Sequence, residues 1–290
     1  LLRFLELIGG TMHPLVNHLI QLQDLTLIRD EQKVTPTSSA HTEQLDASIK
    51  SMTEELPSDV RTLFLQLHKK DHIVISPASE GSCAVCGMRL PISLVQAVRL
   101  GRDIHSCPNC ARMLYCTEAP VRRLGKTPRR TDPRKVGISR FTSESLMIPK
   151  LESDTRDGAI RELAYKLEHE GFVDKADRLL EEALRRETIL STAVDHGLAF
   201  PHVRGVEGGG LTLALGLSQK GIDFGGKDDN LTKIMFLIVI PTAASAFYLK
   251  LLAGLTETFM KIENRKALLA EKDADKLWKT LTKVTRATIK

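Results

Sequence analysis

The sequence predicts a multidomain chain: an α-helical N-terminal part, a small four-cysteine metal module and a C-terminal α/β domain. Three observations carry this. Apolar residues recur at helical spacing up to Leu67. Four of the five cysteines stand in two C-x-x-C pairs, Cys83/Cys86 and Cys107/Cys110. Beyond Ser143, strand-like and helix-like segments interleave, as in α/β proteins.

Composition narrows the function classes. The chain has 290 residues, 42% hydrophobic and 27% charged, enough for more than one core. Aromatics make up 4%, which argues against a stacking surface for single-stranded nucleic acid. The longest apolar run, Ile234 to Ile240, is far short of the ~20 residues of a membrane helix, so no membrane span is expected. The net charge of +5 is localised: residues 1–117 carry −1, residues 118–142 carry +6 and residues 143–290 carry 0. The basic excess therefore belongs to one short stretch.

The elements follow in order. The chain begins at Leu1, and Met12 is the expected start of translation. Residues 12–77 read as a helical hairpin plus one helix, a short coiled coil or a plain packed bundle. Leu15, Leu19 and Leu22 share one helical face; Leu45, Ile49, Met52 and Leu56 repeat at coiled-coil spacing; Val60, Leu63, Phe64 and Leu67 mark the third helix. Ile73–Ile75 is strand-like. Residues 78–117 hold the cysteine pairs, with Pro91, Gly101 and Pro108 breaking the chain between and beside them. Residues 118–142 read as a flexible basic linker, carrying Arg122, Arg123, Lys126, Arg129, Arg130, Arg134, Lys135 and Arg140. The α/β domain covers 143–290. Helices are expected at 157–170, 174–187, 243–262, 264–271 and 274–286. Strands are expected near 197–201, at Leu211–Leu217 and at Ile234–Ile240.

The cysteine spacing has a direct chemical reading. Two C-x-x-C knuckles twenty residues apart let the thiolates of Cys83, Cys86, Cys107 and Cys110 converge tetrahedrally on one ion. Soft sulfur donors favour Zn2+, and four protein ligands leave no open position, so the site is structural. A rubredoxin-like iron site uses the same ligands. Unpaired thiolates of this kind fit a reducing compartment. The segments Cys83-Ala-Val-Cys-Gly-Met-Arg-Leu-Pro91 and Ile104 to Tyr115 resemble a bacterial zinc-ribbon family that follows an N-terminal helical hairpin. The resemblance covers residues 12–117 and implies contact with another macromolecule. Nucleic acid is the weaker candidate, because this half is not basic and any such contact falls to the linker.

A second segment carries the functional reading. In Gly197-Leu-Ala-Phe-Pro-His-Val-Arg204, a histidine follows an apolar extended run and a proline, with an arginine two residues on. This segment resembles the active-site sequence of IIA domains of the phosphoenolpyruvate-dependent sugar phosphotransferase system, of the fructose–mannitol–nitrogen-regulatory type. Asp157–Ala164, Glu187–Thr192, Leu211–Gly225, Ile234–Pro241 and Leu249–Ala253 extend the likeness over about 145 residues. The resemblance implies an α/β sandwich with a mixed sheet flanked by helices. It implies that His202 accepts a phosphoryl group from a histidine phosphocarrier protein, with support from Arg204, Ser191 and Thr192. Two positions depart from the family: Tyr248 stands where a second histidine is usual, and His196 where asparagine is common. Both are expected to contribute to phosphate binding, His196 in partial compensation or else as a plain surface residue.

Together these readings describe a cytoplasmic bacterial regulatory phosphohistidine protein, a phosphoryl carrier rather than a dedicated sugar transporter. It would act on a regulated partner that the sequence does not name. The alternative is a zinc-ribbon adaptor for nucleic acid or protein whose IIA domain is a catalytically inactive scaffold.

Overall fold

The computed structural model describes residues 13–35, 39–116, 121–122, 124, 135–225 and 231–290. Met12 and the linker cations Arg123, Lys126, Arg129, Arg130 and Arg134 lie outside these residues. The chain divides into two compact units, residues 1–33 with 38–120 and residues 34–37 with 121–290. Among the described residues, no helix is long and apolar enough to cross a membrane.

In the first unit, α1 (Pro14–Val34) and α2 (Ser39–Glu54) form an antiparallel hairpin followed by α3 (Ser58–His68). The direction is set by His18 Nε2 lying 2.7 Å from the Met52 carbonyl at one end and Arg29 pairing with Asp46 at 3.4 Å toward the other. Next come β1 (Ile75–Ser79), β2 (Ser82–Cys83), α4 (Ile92–Leu100), β3 (His105–Ser106) and β4 (Met113–Tyr115), in the sheet order β2-β1-β4-β3. Of the strand-like run at Ile73–Ile75, only Ile75 enters a strand. The N–H groups of Val74 and Ile75 instead donate to the buried Gln23 side-chain carbonyl at 2.7 and 2.9 Å, which joins α1 to the sheet. The helices and the sheet share one core: Leu19, Leu22, Phe64 and Leu67 pack with Ile75 and Met113. α4 occupies a stretch that the sequence marked only by chain breakers. Pro91 caps its start and Gly101, in the left-handed region at φ 61°, ends it, so the breakers are the helix's own boundary signals.

The second unit is built on a six-stranded mixed sheet. After β5 (Met147–Ile148) come the helices α5 (Arg156–His169) and α6 (Ala176–Ile189). The strands β6 (Ala193–Val194), β7 (Leu198–Ala199), β8 (His202–Val206), β9 (Thr212–Ile222) and β10 (Thr232–Pro241) follow, and then α7 (Ser245–Met260), α8 (Ile262–Leu269) and α9 (Ala274–Thr285). The order is β5-β9-β10-β7-β6, with β8 also on β10. Leu213, Ala214 and Leu215 of β9 and Phe236, Leu237 and Ile238 of β10 are all buried. Successive residues point to opposite faces, so both faces are covered, as expected of a sheet between helices. α5 packs on α6, and α7 packs with α8 and α9. This is the expected α/β sandwich.

The expected linker is partly built into this unit. Val121 and Ile138 are buried in its core. Arg122 donates its N–H to Asp174 at 2.8 Å, and the Leu124 N–H donates to the Phe172 carbonyl at 2.9 Å. Of residues 118–142, therefore, Val121, Arg122, Leu124 and the stretch from about 136 onward are docked structure rather than tether.

One turn fixes the approach to β7. β6 and β7 pair antiparallel, and His196 and Gly197 in the connection both have positive φ, 71° and 74°. A Cβ on Gly197 would meet the Leu231 carbonyl oxygen at 2.9 Å, so glycine is needed there for both conformation and space. Gly197→Ala is expected to destabilise the second unit by more than the ~1–2 kcal/mol of the backbone conformation alone. His196→Asn, which suits the left-handed region, is expected to leave stability equal or slightly raised. Denaturant unfolding monitored on the second unit checks both.

Candidate active site and metal centre

The four sulfurs of the cysteine pairs come together. Cys83 and Cys110 Sγ are 3.7 Å apart, Cys86 and Cys107 Sγ 3.6 Å, and all four lie within 4.8 Å of one another. A tetrahedral ion bound to sulfur at ~2.3 Å requires sulfur–sulfur edges of roughly 3.8 Å, so the cluster is the right size for zinc. Each knuckle closes by the same hydrogen bonds. The N–H of the first cysteine donates across the turn, from Cys83 to the Met88 carbonyl at 2.9 Å and from Cys107 to the Arg112 carbonyl at 2.8 Å. The residue four places on donates back, from Gly87 to Cys83 at 2.8 Å and from Ala111 to Cys107 at 2.9 Å. Both Gly87 and Ala111 have positive φ, so the two turns share one geometry although only one carries glycine. Burial pushes the Cys107 thiol up to about 12. Burial also acts to raise Cys86, but the Met88 N–H and the Asn109 side chain help bring it down to about 6.

The second constellation forms where β8 meets α7. His202 and Arg204 are two residues apart on β8, hence on one face of the strand. That face meets Tyr248. The Tyr248 hydroxyl is 3.2 Å from His202 Nδ1, the two rings lie 5.1 Å apart, and the Arg204 guanidinium carbon sits 4.8 Å over the Tyr248 ring. A guanidinium over an aromatic face is held by the ring quadrupole, which sets Arg204 beside the imidazole. His202 Nδ1 is also 3.0 Å from the Phe200 carbonyl oxygen. A carbonyl only accepts, so this contact is a hydrogen bond when Nδ1 carries the proton, and the lone pair is then on Nε2. The imidazole is 2% exposed and Tyr248 1%.

His202, Arg204 and Tyr248 are thus brought together; the hydroxyls of Ser191 and Thr192 bond to other groups, and His196 sits in a turn. His196 is exposed in the β6–β7 turn. Leu198 pairs with Ile234 and His202 with Ile238, four residues along β10, which puts His196 beyond a separation of about 13 Å from His202. Its left-handed φ accounts for the residue better than any phosphate contact, and asparagine would suit the same conformation. Ser191 Oγ donates to the Phe224 carbonyl at 2.8 Å and accepts from the Ala193 N–H at 3.1 Å. The Thr192 hydroxyl donates to the buried Glu187 carboxylate. Both hydroxyls are engaged in holding the local fold. Sequence reasoning passed over Glu187 itself. The signal was present: it continues the buried stripe of Ala176, Leu179, Leu180 and Ala183 on α6, where a carboxylate needs an internal partner.

Comparison with known proteins covers both parts of the chain. Residues 82–114 match the family described as C4-type zinc ribbon domain. Residues 140–284 match the family described as Phosphoenolpyruvate-dependent sugar phosphotransferase system, EIIA 2. The PTS system fructose-specific EIIA component of Haloferax volcanii is 33% identical over 132 residues, 46% of this chain and 86% of that protein. The nitrogen regulatory protein of Bradyrhizobium diazoefficiens is 30% identical over 148 residues, 50% of this chain and 94% of that protein. Among solved structures, the nitrogen regulatory protein IIA-Ntr from Neisseria meningitidis is 22% identical, covers 49% of this chain and 97% of its own, and superimposes with a TM-score of 0.45. The chain, with its C4-type zinc ribbon ahead of an α/β sandwich, belongs to the EIIA 2 family of the phosphoenolpyruvate-dependent sugar phosphotransferase system.

Proposed function

We propose that the second unit is a phosphoryl-accepting domain and that His202 Nε2 is the acceptor. The supporting observation is the Phe200 carbonyl on Nδ1, which leaves the lone pair on Nε2. Neutral imidazole is a good nucleophile near pH 7. Nε2 attacks the phosphorus of a phosphohistidine on the phosphocarrier. The new Nε2–P bond forms as the carrier's N–P bond breaks, and the bonding pair returns to the carrier's ring nitrogen. The reverse step at a later partner frees His202. Arg204, on the same strand face, is suited to offset the phosphoryl charge, and Tyr248 both braces the guanidinium and reaches the ring. The burial of His202 sets one condition: the imidazole must gain exposure before it meets a macromolecular donor.

We assign Cys83, Cys86, Cys107 and Cys110 to one structural zinc ion, whose chemistry is to bind four thiolates and fix the two knuckles. The ribbon unit is then the contact surface for a regulated macromolecule, and the whole is a cytoplasmic regulator rather than a transport component. The nitrogen regulatory relative, at 30% identity, supports this role, and the fructose-specific relative, at 33%, supports a sugar-specific one at least as well. A second reading has one observation in its favour. With His202 buried and tyrosine in place of the second histidine, the domain fits an adaptor that keeps the fold without the transfer.

Two experiments test these assignments. Incubation with phosphoenolpyruvate, the system's first enzyme and the phosphocarrier is expected to give an acid-labile adduct that His202→Ala abolishes and His196→Ala leaves unchanged. No adduct on the wild type, with an active phosphocarrier of the same organism, supports the scaffold instead. For the metal, one zinc per chain is expected. Chelation should raise hydrogen exchange at Leu19 and Leu22 as well as in the ribbon, because Met113 joins the two in one core. Exchange in β9 and β10 should not change, and zinc well below one per chain would contradict the assignment.

A further inference from the structure

We infer that Glu187 is a positioning residue for His202, acting through two hydrogen-bonded backbone segments; this rests on the phosphoacceptor reading above. Glu187 lies in the last turn of α6 and is 4% exposed. The negative end of a helix is an unfavourable place for a carboxylate, and burial adds to the cost. Its compensation comes from one residue. The Thr192 N–H donates to both carboxylate oxygens, at 3.2 and 3.0 Å, and the Thr192 hydroxyl donates to the same group.

Thr192 does not end the chain of contacts. Its carbonyl accepts the Phe200 N–H at 3.1 Å, the last link before the β6–β7 pairs Ala193 with Ala199 and Val194 with Leu198. The Phe200 carbonyl, at the other side of the same residue, accepts from His202 Nδ1. The carboxylate thus fixes Thr192, Thr192 fixes the Phe200 peptide from its N–H side, and Phe200 fixes the proton on the imidazole. A residue that merely filled the end of α6 would need no charge. A charge makes sense if two donors on one residue must be held in register. The Leu190 carbonyl, two residues earlier, is separately held by Arg186 at 2.8 Å, so the segment is fastened on both sides of Ser191.

The consequence is specific. Loss of the carboxylate loosens Thr192, lets the Phe200 carbonyl turn away and frees the imidazole to place its proton on either nitrogen. Acceptor capacity at Nε2 then falls even where the fold survives. Glu187→Gln is the informative variant because it keeps the volume but offers an N–H to Thr192, whose groups are themselves donors. Thr192→Ser, which retains the hydroxyl, is the conservative control.

The experiment uses the full chain with histidine labelled by 15N, and reads the His202 ring tautomer by long-range 1H–15N correlation. In parallel, the rate of phosphoryl uptake from the phosphocarrier is measured. Wild type and Thr192→Ser are expected to show the Nδ1–H form. Glu187→Gln is expected to show a mixture, with uptake slowed in proportion to the loss of the Nδ1–H form, about twofold for an even mixture, and with the apparent affinity for the carrier unchanged. An unchanged tautomer and rate in a folded Glu187→Gln overturns the inference. If Glu187→Gln does not fold, Glu187→Asp carries the test: it keeps the charge but withdraws the carboxylate from the Thr192 donors, and an unchanged tautomer there overturns the inference too. A wild type that takes no phosphoryl group, yet loses its fixed tautomer in Glu187→Gln, refutes the phosphoacceptor reading while leaving the positioning role standing.

Discussion

The contact between the Phe200 carbonyl and His202 Nδ1 is the constraint on which the site depends. An imidazole with a free choice of tautomer is half a nucleophile at each nitrogen; one acceptor 3.0 Å from Nδ1 removes the choice. The surrounding sheet holds the chain on either side of that carbonyl. β10 hydrogen-bonds the whole approach: the Gly197 carbonyl accepts from Lys233 and Ile234, the Pro201 carbonyl accepts from Ile238, and His202, Val203 and Arg204 pair with Ile238, Val239 and Ile240. Pro201 has no N–H to give, so the strand is interrupted between β7 and β8 without leaving a donor unsatisfied. The interruption lets Phe200 turn its carbonyl to the ring instead of the ladder.

The two units solve a common problem in the same manner. Each has buried N–H groups at or just before the start of a short strand, and each satisfies them with a buried side chain from a helix. Gln23 does this for Val74 and Ile75, and Glu187 for Thr192. An unsatisfied buried amide costs ~1–3 kcal/mol, so a single polar side chain serving two donors has a large effect on the local fold. In the first unit the result is a helical core continuous with the ribbon sheet. A metal held by the four cysteines would then stabilise the helices as well as the knuckles.

The periodic features were legible in the sequence because burial imposes them. The helices of both units apart from α4, the buried strands around Leu215 and Phe236, and the cysteine knuckles all follow from spacing alone. What was not legible was the geometry of polar side chains. Ser191 and Thr192 stand near the histidine in sequence, but their hydroxyls are used by Phe224 and Glu187, and no linear pattern reports such a commitment. His196 stood out as a second imidazole near the first, whereas its φ of 71° makes it a turn residue at the far end of the same extended segment. The basic stretch concealed Val121 and Ile138, two isolated apolar residues among charges that nonetheless reach the core. Tyr248 was found by its departure from a family pattern, and its contacts with both His202 and Arg204 give that departure a physical meaning.

The central claim is that the backbone selects Nε2 of His202 as the nucleophile. It is tested most directly by phosphorylating 15N-histidine-labelled protein and locating the phosphorus on the ring through its coupling to nitrogen. Coupling to Nε2, with Nδ1 still protonated, is the predicted result. Phosphorus on Nδ1, or on any other residue of the chain, would contradict the account.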